Sequence, residues 1–387
     1  MKKFLEVLRG KPIAERSRSV DVPCIETSDR AKLCKHPVVS VHMITYNHEP
    51  YIRQAIEGVM MQQTDFEFEL VIGEDCSKDK TREVCFEYQR KYPDKIRVLW
   101  WHENVSTLGG NGLRVSSHCR GEFIAFCEGD DYWTDPLKLQ KQVNAMRANP
   151  TVTLCFCNAV YRWDWRDYER EWDDKHELKT GLIKGDDFFR AHLVGAKLGV
   201  CENVLSFIMT ATVMLRRSTY AEARRSLDVF SWVFALGDST VWLAMTMQGD
   251  AYYISDIVSV YRQVASGACV STNGQVGIDS QLVRIYFAKK KYGLDYADFP
   301  MYMIENFWTM RHFQLSRDNF AGAWKYMRSV WADAGTRRAL FRFRTIPYGV
   351  AIMLHLRGWF VSKSLNAYKC RTPRLFYSKA LKAIYSA

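Results

Sequence analysis

Three features of the chain predict an α/β fold, with a mainly parallel central sheet followed by a helical C-terminal region. Short apolar runs alternate with amphipathic stretches over the first 150 residues, the order expected of βαβ units. Polar residues close the first apolar runs, at the edge where an open parallel sheet gathers its ligands. The run Phe123 to Cys127 then ends in three carboxylates within four positions, Glu128, Asp130 and Asp131.

The elements follow in order. Residues 1–36 are polar and mixed and read as an extension. Val38 to Ile44 is a strand-like run ending at Thr45, Tyr46 and Asn47. Tyr51, Ile52, Ala55, Ile56, Val59 and Met60 recur at helical spacing. Phe68 to Gly73 is a second strand, closing on Glu74, Asp75, Cys76 and Ser77. A helix from about Asp79, a strand at 96–101 and a helix holding Asn111 and Arg114 lead to Gly121. Another helix follows Pro136, and Val152 to Val160 reads as a strand. The charged segment from Tyr161 to Glu177, with Trp163, Trp165 and Trp172, reads as a loop, either an acceptor-binding lid or a packed aromatic excursion. Strands at 206–215 and 251–261 flank a helix at 238–247, and everything from about Gly277 reads as helix.

Composition narrows the class. At 387 residues, 48% hydrophobic and 25% charged, the chain suits a soluble protein of one large and one smaller domain. Eleven cysteines with no C-x-x-C pair imply a reducing compartment and buried thiols. Cys155 and Cys157, two apart on a strand, read as thiols of the core or surface rather than metal ligands. The start lacks the apolar core of a secretory signal, and no stretch reaches the roughly 18 apolar residues of a spanning helix. The expectation is a cytoplasmic protein. From Trp324 onward there are 13 Lys and Arg against the single acid Asp333, so the net charge of +11 belongs to this tail.

The acidic run has two readings. Clustered carboxylates repel unless a cation or cationic ligand neutralises them, and hard oxygen ligands suit Mg²⁺ or Mn²⁺ holding a diphosphate. A solvated acidic turn capping the helix after Pro136 is equally compatible with the residues alone.

Taken together, the motifs resemble family 2 glycosyltransferases, enzymes of the nucleotide-sugar-binding α/β fold called GT-A. The resemblance covers about 37–271 and rests on five elements in register: Thr45-Tyr46-Asn47, the run from Glu74 to Thr81, Gly121-Glu122, the run from Glu128 to Asp131, and Gly237-Asp238. It implies a catalytic domain at 37–275, between the extension and a helical basic region at 276–387. It also implies that Thr45, Tyr46, Asn47 and Asp75 bind the nucleotide, a UDP-sugar before dTDP or GDP, and that Glu128 and Asp130 contact ribose or metal. Asp131, with Asp130, would ligate Mn²⁺ or Mg²⁺. Asp238 would be the general base of an inverting transfer. The motif position held by Glu128 is usually Asp in the family, and Glu keeps the charge on one more methylene. Asn47, Ser77, Asp79 and Asp238 can equally be helix caps.

Tyr261-Arg262 matches a pair near the end of the catalytic domain, with Arg262 either on phosphate or in a surface salt bridge. A His often follows two residues later; here Gln263, Val264 and Ala265 stand instead, which weakens the metal assignment. Asn111 and Arg114 are expected to approach the sugar. The implied acceptor is a saccharide or lipid-linked hydroxyl in bacterial surface polysaccharide or glycolipid synthesis. Two rivals are a nucleotidyltransferase, which needs a basic Gly-rich loop that Thr45 to Glu49 does not provide, and a non-catalytic binding relative. In the tail, Phe341, Phe343, Trp359 and Phe360 lie among arginines, a pattern for an anionic membrane surface or a packed helical domain with a solvated basic face. No nucleic-acid module is visible.

Overall fold

The computed structural model describes residues 22–105, 110–163, 168–174, 178–189, 208–227 and 238–264. All of them lie in one compact unit made of Ala14–Val229 and Asp238–Ser271. The tail, Gly237 and Ala265 lie outside the described residues.

Eleven strands form one sheet. They are β1 (Ile25–Thr27), β2 (Val39–Thr45), β3 (Phe68–Glu74), β4 (Ile96–Trp100), β5 (Phe123–Phe126), β6 (Tyr132–Trp133), β7 (Val152–Trp163), β8 (Tyr168–Glu171), β9 (Gly181–Ile183), β10 (Met214–Arg216) and β11 (Asp250–Gln263). The sheet order is β1-β4-β3-β2-β5-β10-β7-β11-β6, with β8 on β7 and β9 on β11. β4, β3, β2 and β5 are mutually parallel, as are β7 and β11, while the shorter strands join antiparallel. The helices are α1 (Ile52–Met60), α2 (Thr81–Lys91), α3 (Gly110–His118), α4 (Lys138–Ala148), α5 (Arg217–Leu227) and α6 (Asp238–Thr246).

Strand alternation divides the core. Val39, Val41 and Met43 of β2, with Phe68, Leu70 and Ile72 of β3, meet Ile52, Ala55, Ile56 and Val59 of α1 and Val84, Cys85 and Tyr88 of α2. The α1 residues sit at i, i+3, i+4 and i+7, one helical stripe, and all four are fully buried. Each of the two isoleucines and the valine contributes about 1.5–3 kcal/mol through burial. The opposite face carries Ser40, Glu69 and Gly73 and is covered by α3. Asn111 donates its amide to the Gly73 carbonyl at 3.0 Å and fills the space beside that glycine.

Beneath α3 lies a buried ionic knot. Glu69 accepts from Ser40 Oγ at 2.6 Å, from Arg120 Nη2 at 2.6 Å and from Arg97 Nη1 at 3.2 Å. Arg97 also binds Glu26 of β1 at 2.9 Å. Residues 25–27, expected in a polar extension, are therefore an edge strand, held on β4 by this charge pair and by backbone pairing.

Two further expectations are corrected. The segment at 161–177 is not a single loop, because β7 runs on to Trp163 and pairs with β8. The stretch at 206–215 is not one strand; a 3-10 turn at Thr210–Thr212 precedes the short β10. Cys155 and Cys157 are buried core thiols, as expected.

Candidate active site

The loops after β2 and β3 are laced together by side chain to backbone bonds. Asn47 takes a left-handed conformation (φ 55°), its Oδ1 accepting from Lys78 N at 2.8 Å and its N–H donating to Ser77 Oγ at 3.0 Å. Asn47 thus bridges two loops rather than capping α1, whose N-cap position is Tyr51 and has no side-chain cap. Asp79 accepts from Glu49 N at 3.1 Å and from Thr81 N at 3.0 Å. Burial raises the Asp79 pKa, but these bonds and the Thr81 hydroxyl hold it below the usual range. Asp75 is fully buried; its N–H donates to Thr45 O at 3.1 Å and its Oδ1 accepts from Val105 N at 2.7 Å. Thr45 is 2% exposed and its hydroxyl has no partner, Tyr46 is half-buried and Asn47 is exposed.

The acidic motif leaves the end of β5 and turns at once into β6, which pairs with β11 through Trp133–Ser259 and Tyr132–Val260. That pairing brings Arg262 onto the motif. Its backbone N–H donates to Asp131 Oδ1 at 2.8 Å, its Nη1 to the Asp130 carbonyl at 2.8 Å and its Nη2 to Gln54 Oε1. The guanidinium lies 4.3 Å from the Tyr132 ring centroid and 5.2 Å from that of Tyr51. Arg262 is therefore a buried clamp on the motif, and the surface salt bridge is not what it makes.

The charges at this edge are under-compensated. Burial pushes the Glu128 carboxyl well above the usual range, and Asp131, Asp238 and Asp130 push it further. Its Oε2 is buried without a hydrogen-bond partner. Burial and Asp130 raise Asp131 as well, against the Arg262 N–H.

Asp238 opens α6, and its Oδ2 accepts from Thr210 Oγ1 at 2.7 Å. Asp238 keeps solvent-accessible surface at the start of α6 while packed closely against the surrounding protein. Burial raises its pKa, opposed by the Thr210 hydroxyl and the Arg224 charge. Residues from β5, from the turn before β10 and from α6 thus meet at one edge of the sheet.

A divalent cation fits the chemistry of this donor set, since Glu128 has an unpartnered oxygen and the neighbouring carboxylates oppose one another's ionisation. Among the described residues no three His, Cys, Asp or Glu converge as a ready-made metal cage. Such an ion would take one or two carboxylates here and its remaining ligands from substrate phosphates, the usual arrangement for Mg²⁺.

Asn111 and Arg114, expected to approach the sugar, are engaged within the protein. Asn111 is 2% exposed and packs on Gly73, while Arg114 donates to Val22 O at 2.6 Å and lies over Trp101. Sequence reasoning missed Thr210 and His48. His48 Nε2 stands 3.9 Å from Asp130 Oδ2, and burial lowers its pKa against the pull of Asp130 and Asp79. A polar residue just past the Thr45-Tyr46-Asn47 turn was the available signal for His48; Thr210 offered none.

The chain is similar to known glycosyltransferases over part of its length. Residues 40–217 match the pattern described as Glycosyl transferase family 2. An uncharacterised Mycobacterium tuberculosis protein is 44% identical over 118 residues, 30% of this chain and 34% of its own. TuaG of Bacillus subtilis, named for a glycosyltransferase role in teichuronic acid biosynthesis, is 32% identical over 110 residues, 28% of this chain and 42% of its own. An uncharacterised glycosyltransferase of Methanocaldococcus jannaschii is 30% identical over 201 residues, 51% of this chain and 64% of its own. The chain thus spans about a third of the mycobacterial relative and under two thirds of the others. Among solved structures, Staphylococcus aureus TarS with UDP-GlcNAc superposes over 72% of this chain and 73% of its own, with 16% identity and a TM-score of 0.49. The matched pattern covers β2 through β10, including the laced loops and the acidic motif, and over this stretch the chain is similar to glycosyl transferase family 2.

Proposed function

We propose that this protein is an inverting glycosyltransferase that moves a sugar from a nucleotide-sugar donor to a hydroxyl of a saccharide or lipid-linked acceptor. One observation carries the reading: Asp238, far away in sequence, accepts from Thr210 in the turn whose Ala211 carbonyl takes the Trp133 Nε1 hydrogen bond at 2.8 Å, so a candidate base stands near the acidic motif. Asp238 takes the proton of the acceptor hydroxyl while that oxygen attacks the anomeric carbon, opposite the leaving diphosphate. In-line attack inverts the centre. The raised pKa makes Asp238 a stronger base than a free aspartate, and Thr210 orients it. Such a base contributes about 10²–10⁴-fold.

Thr45, Tyr46, Asn47 and Asp75 hold the base and ribose of the donor, with UDP preferred to dTDP or GDP. Asp131 and Asp130 hold Mn²⁺ or Mg²⁺, and Glu128 contributes charge and an acceptor oxygen. When bound, the cation neutralises the departing diphosphate as a Lewis acid. Arg262 keeps Asp130 and Asp131 in place. The catalytic domain is 37–275. The basic region at 276–387 brings the enzyme to an anionic membrane surface from the cytoplasmic side, where vesicle co-sedimentation of the full chain detects it. The name of TuaG favours a product in surface polysaccharide synthesis.

The test is Asp238→Asn. Transfer should fall by at least about 10²-fold while nucleotide-sugar affinity stays within about threefold. Unchanged turnover would remove Asp238 as the base. A non-catalytic binding protein is the second reading, favoured by Gln263, Val264 and Ala265 standing where a His often follows the Tyr-Arg pair. It predicts nucleotide binding without turnover in the unmodified chain.

A further inference from the structure

His48 is a polar side chain of the β2 loop that the proposed reaction leaves without a task. Its backbone N–H donates to Thr81 Oγ1 at 2.9 Å, and its ring meets Tyr51 nearly edge-on with centroids 6.5 Å apart. These contacts hold the imidazole between Gly129 and Asp130. On the Gly129 side, Nδ1 is buried without a partner, 2.9 Å from where a methyl group at 129 would stand. Glycine at 129 is what permits that approach. Beside the same glycine lies the unpartnered hydroxyl of Thr45, a residue 2% exposed.

A buried unpaired N–H is rarer than an unpaired acceptor. Nδ1 is therefore the bare nitrogen, and Nε2 carries the proton. Nε2 faces Asp130 Oδ2 across 3.9 Å, too far for a hydrogen bond between them. One atom standing about 2.8 Å from each, an ordinary hydrogen-bond distance, would bond both. That atom must accept from Nε2–H and donate to a carboxylate. A phosphate oxygen only accepts and is repelled by Asp130; a metal ion is repelled by the N–H. A hydroxyl does both, whether of water or of a sugar, and a bound sugar hydroxyl would take the place of the water.

We infer that His48 and Asp130 form a two-sided clamp for a sugar hydroxyl of the donor, with His48 a specificity-determining residue. The inference rests on the nucleotide-sugar reading. The hydroxyl belongs either to the ribose or to the transferred sugar, and the chemistry of the clamp is the same for both. A clamp left half-paired by a deoxy compound disfavours it, so this residue selects hydroxylated donors.

The test uses the full chain with Mn²⁺ and titrates UDP, 2′-deoxy-UDP, 3′-deoxy-UDP, UDP-glucose and UDP-2-deoxyglucose by calorimetry. The unmodified protein should bind one deoxy compound about 10- to 100-fold more weakly than its parent, the range for one hydrogen bond to a charged group. Loss on a deoxynucleotide assigns the ribose; loss on the deoxyglucose compound alone assigns the transferred sugar. His48→Phe, which keeps a ring against Tyr51 but no N–H, should bring that ratio close to one, and His48→Gln should restore part of it. If His48→Phe fails to melt cooperatively, His48→Gln carries the comparison, with a ratio between one and that of the unmodified protein. Equal binding of all parents and deoxy compounds, or a ratio unchanged by substitution, overturns the clamp while leaving the nucleotide-sugar reading intact. Absence of any nucleotide binding overturns both.

Discussion

Replacing Arg262 separates two roles that predict different measurements. As a phosphate ligand, its guanidinium would matter for donor affinity and little for folding. As the clamp described above, it holds the acidic motif through hydrogen bonds to the Asp130 carbonyl and Gln54 and through the faces of Tyr132 and Tyr51. Arg262→Met keeps the stem and the backbone bond to Asp131 but deletes all four contacts. Hydrogen bonds to a charged group contribute about 1.5–3 kcal/mol each, and a largely desolvated cation on an aromatic ring about 1–2 kcal/mol. These terms overlap, and the methionine recovers part of the packing, so the expected loss is about 2–4 kcal/mol. For a unit of this size that lowers Tm by about 5–15 °C. Thermal unfolding followed by circular dichroism, with nucleotide titration in parallel, reads both quantities. Arg262→Lys should recover little, since a point charge lacks the fork that reaches two partners. A loss of nucleotide affinity with Tm unchanged to within about 2 °C would refute the clamp and favour the phosphate role.

Three further perturbations test the surrounding framework. Thr210→Val removes the hydroxyl that lowers the Asp238 pKa, so the carboxyl protonates at higher pH and the acid limb of kcat/KM moves upward; a limb that stays put would detach Thr210 from the base. Glu69→Gln strips the buried charge facing Arg97 and Arg120, at a cost of about 3–5 kcal/mol near neutral pH. Hydrogen bonds from Arg120 and Ser40 hold the Glu69 pKa below its model-compound value of 4.5 despite burial. Its contribution is therefore complete above that value and lost as pH falls through the lower folded pKa, so urea midpoints of the two proteins should converge in acid. Gly129→Ala places a methyl group 2.6 Å from Thr45 Oγ1, an overpacking cost of about 1–3 kcal/mol with weakened nucleotide binding; normal stability and binding would contradict the close approach.

The parallel part of the sheet was legible because β2, β3 and β5 are apolar runs that end in polar residues, and because α1 repeats its apolar positions at helical spacing. The edges were not. β1 has one large apolar residue in three and is held by Glu26 on Arg97, a pair 71 positions apart. β6 is two residues long and exists only through pairing with β11. The end of β7 and all of β8 were hidden because Arg162, Glu169 and Arg170 are exposed, so the hairpin lacks the apolar alternation that marks a half-buried strand. In the site, the acidic motif declared itself by local charge density. Its partners did not: the Arg262 N–H on Asp131, Thr210 on Asp238 and His48 beside Asp130 are tertiary contacts. Asn111 shows the converse, a polar residue on a promising helix whose amide serves the backbone of β3.

The account depends on Asp238 acting as a base opposite a leaving nucleotide held at the acidic motif. Proton NMR of the sugar first released from an α-linked nucleotide-sugar, with water as acceptor and spectra taken before mutarotation, measures this directly. The β-anomer as the initial product, absent with Asp238→Asn, is the predicted result. Initial release of the α-anomer, or equal release by the substituted protein, would contradict it.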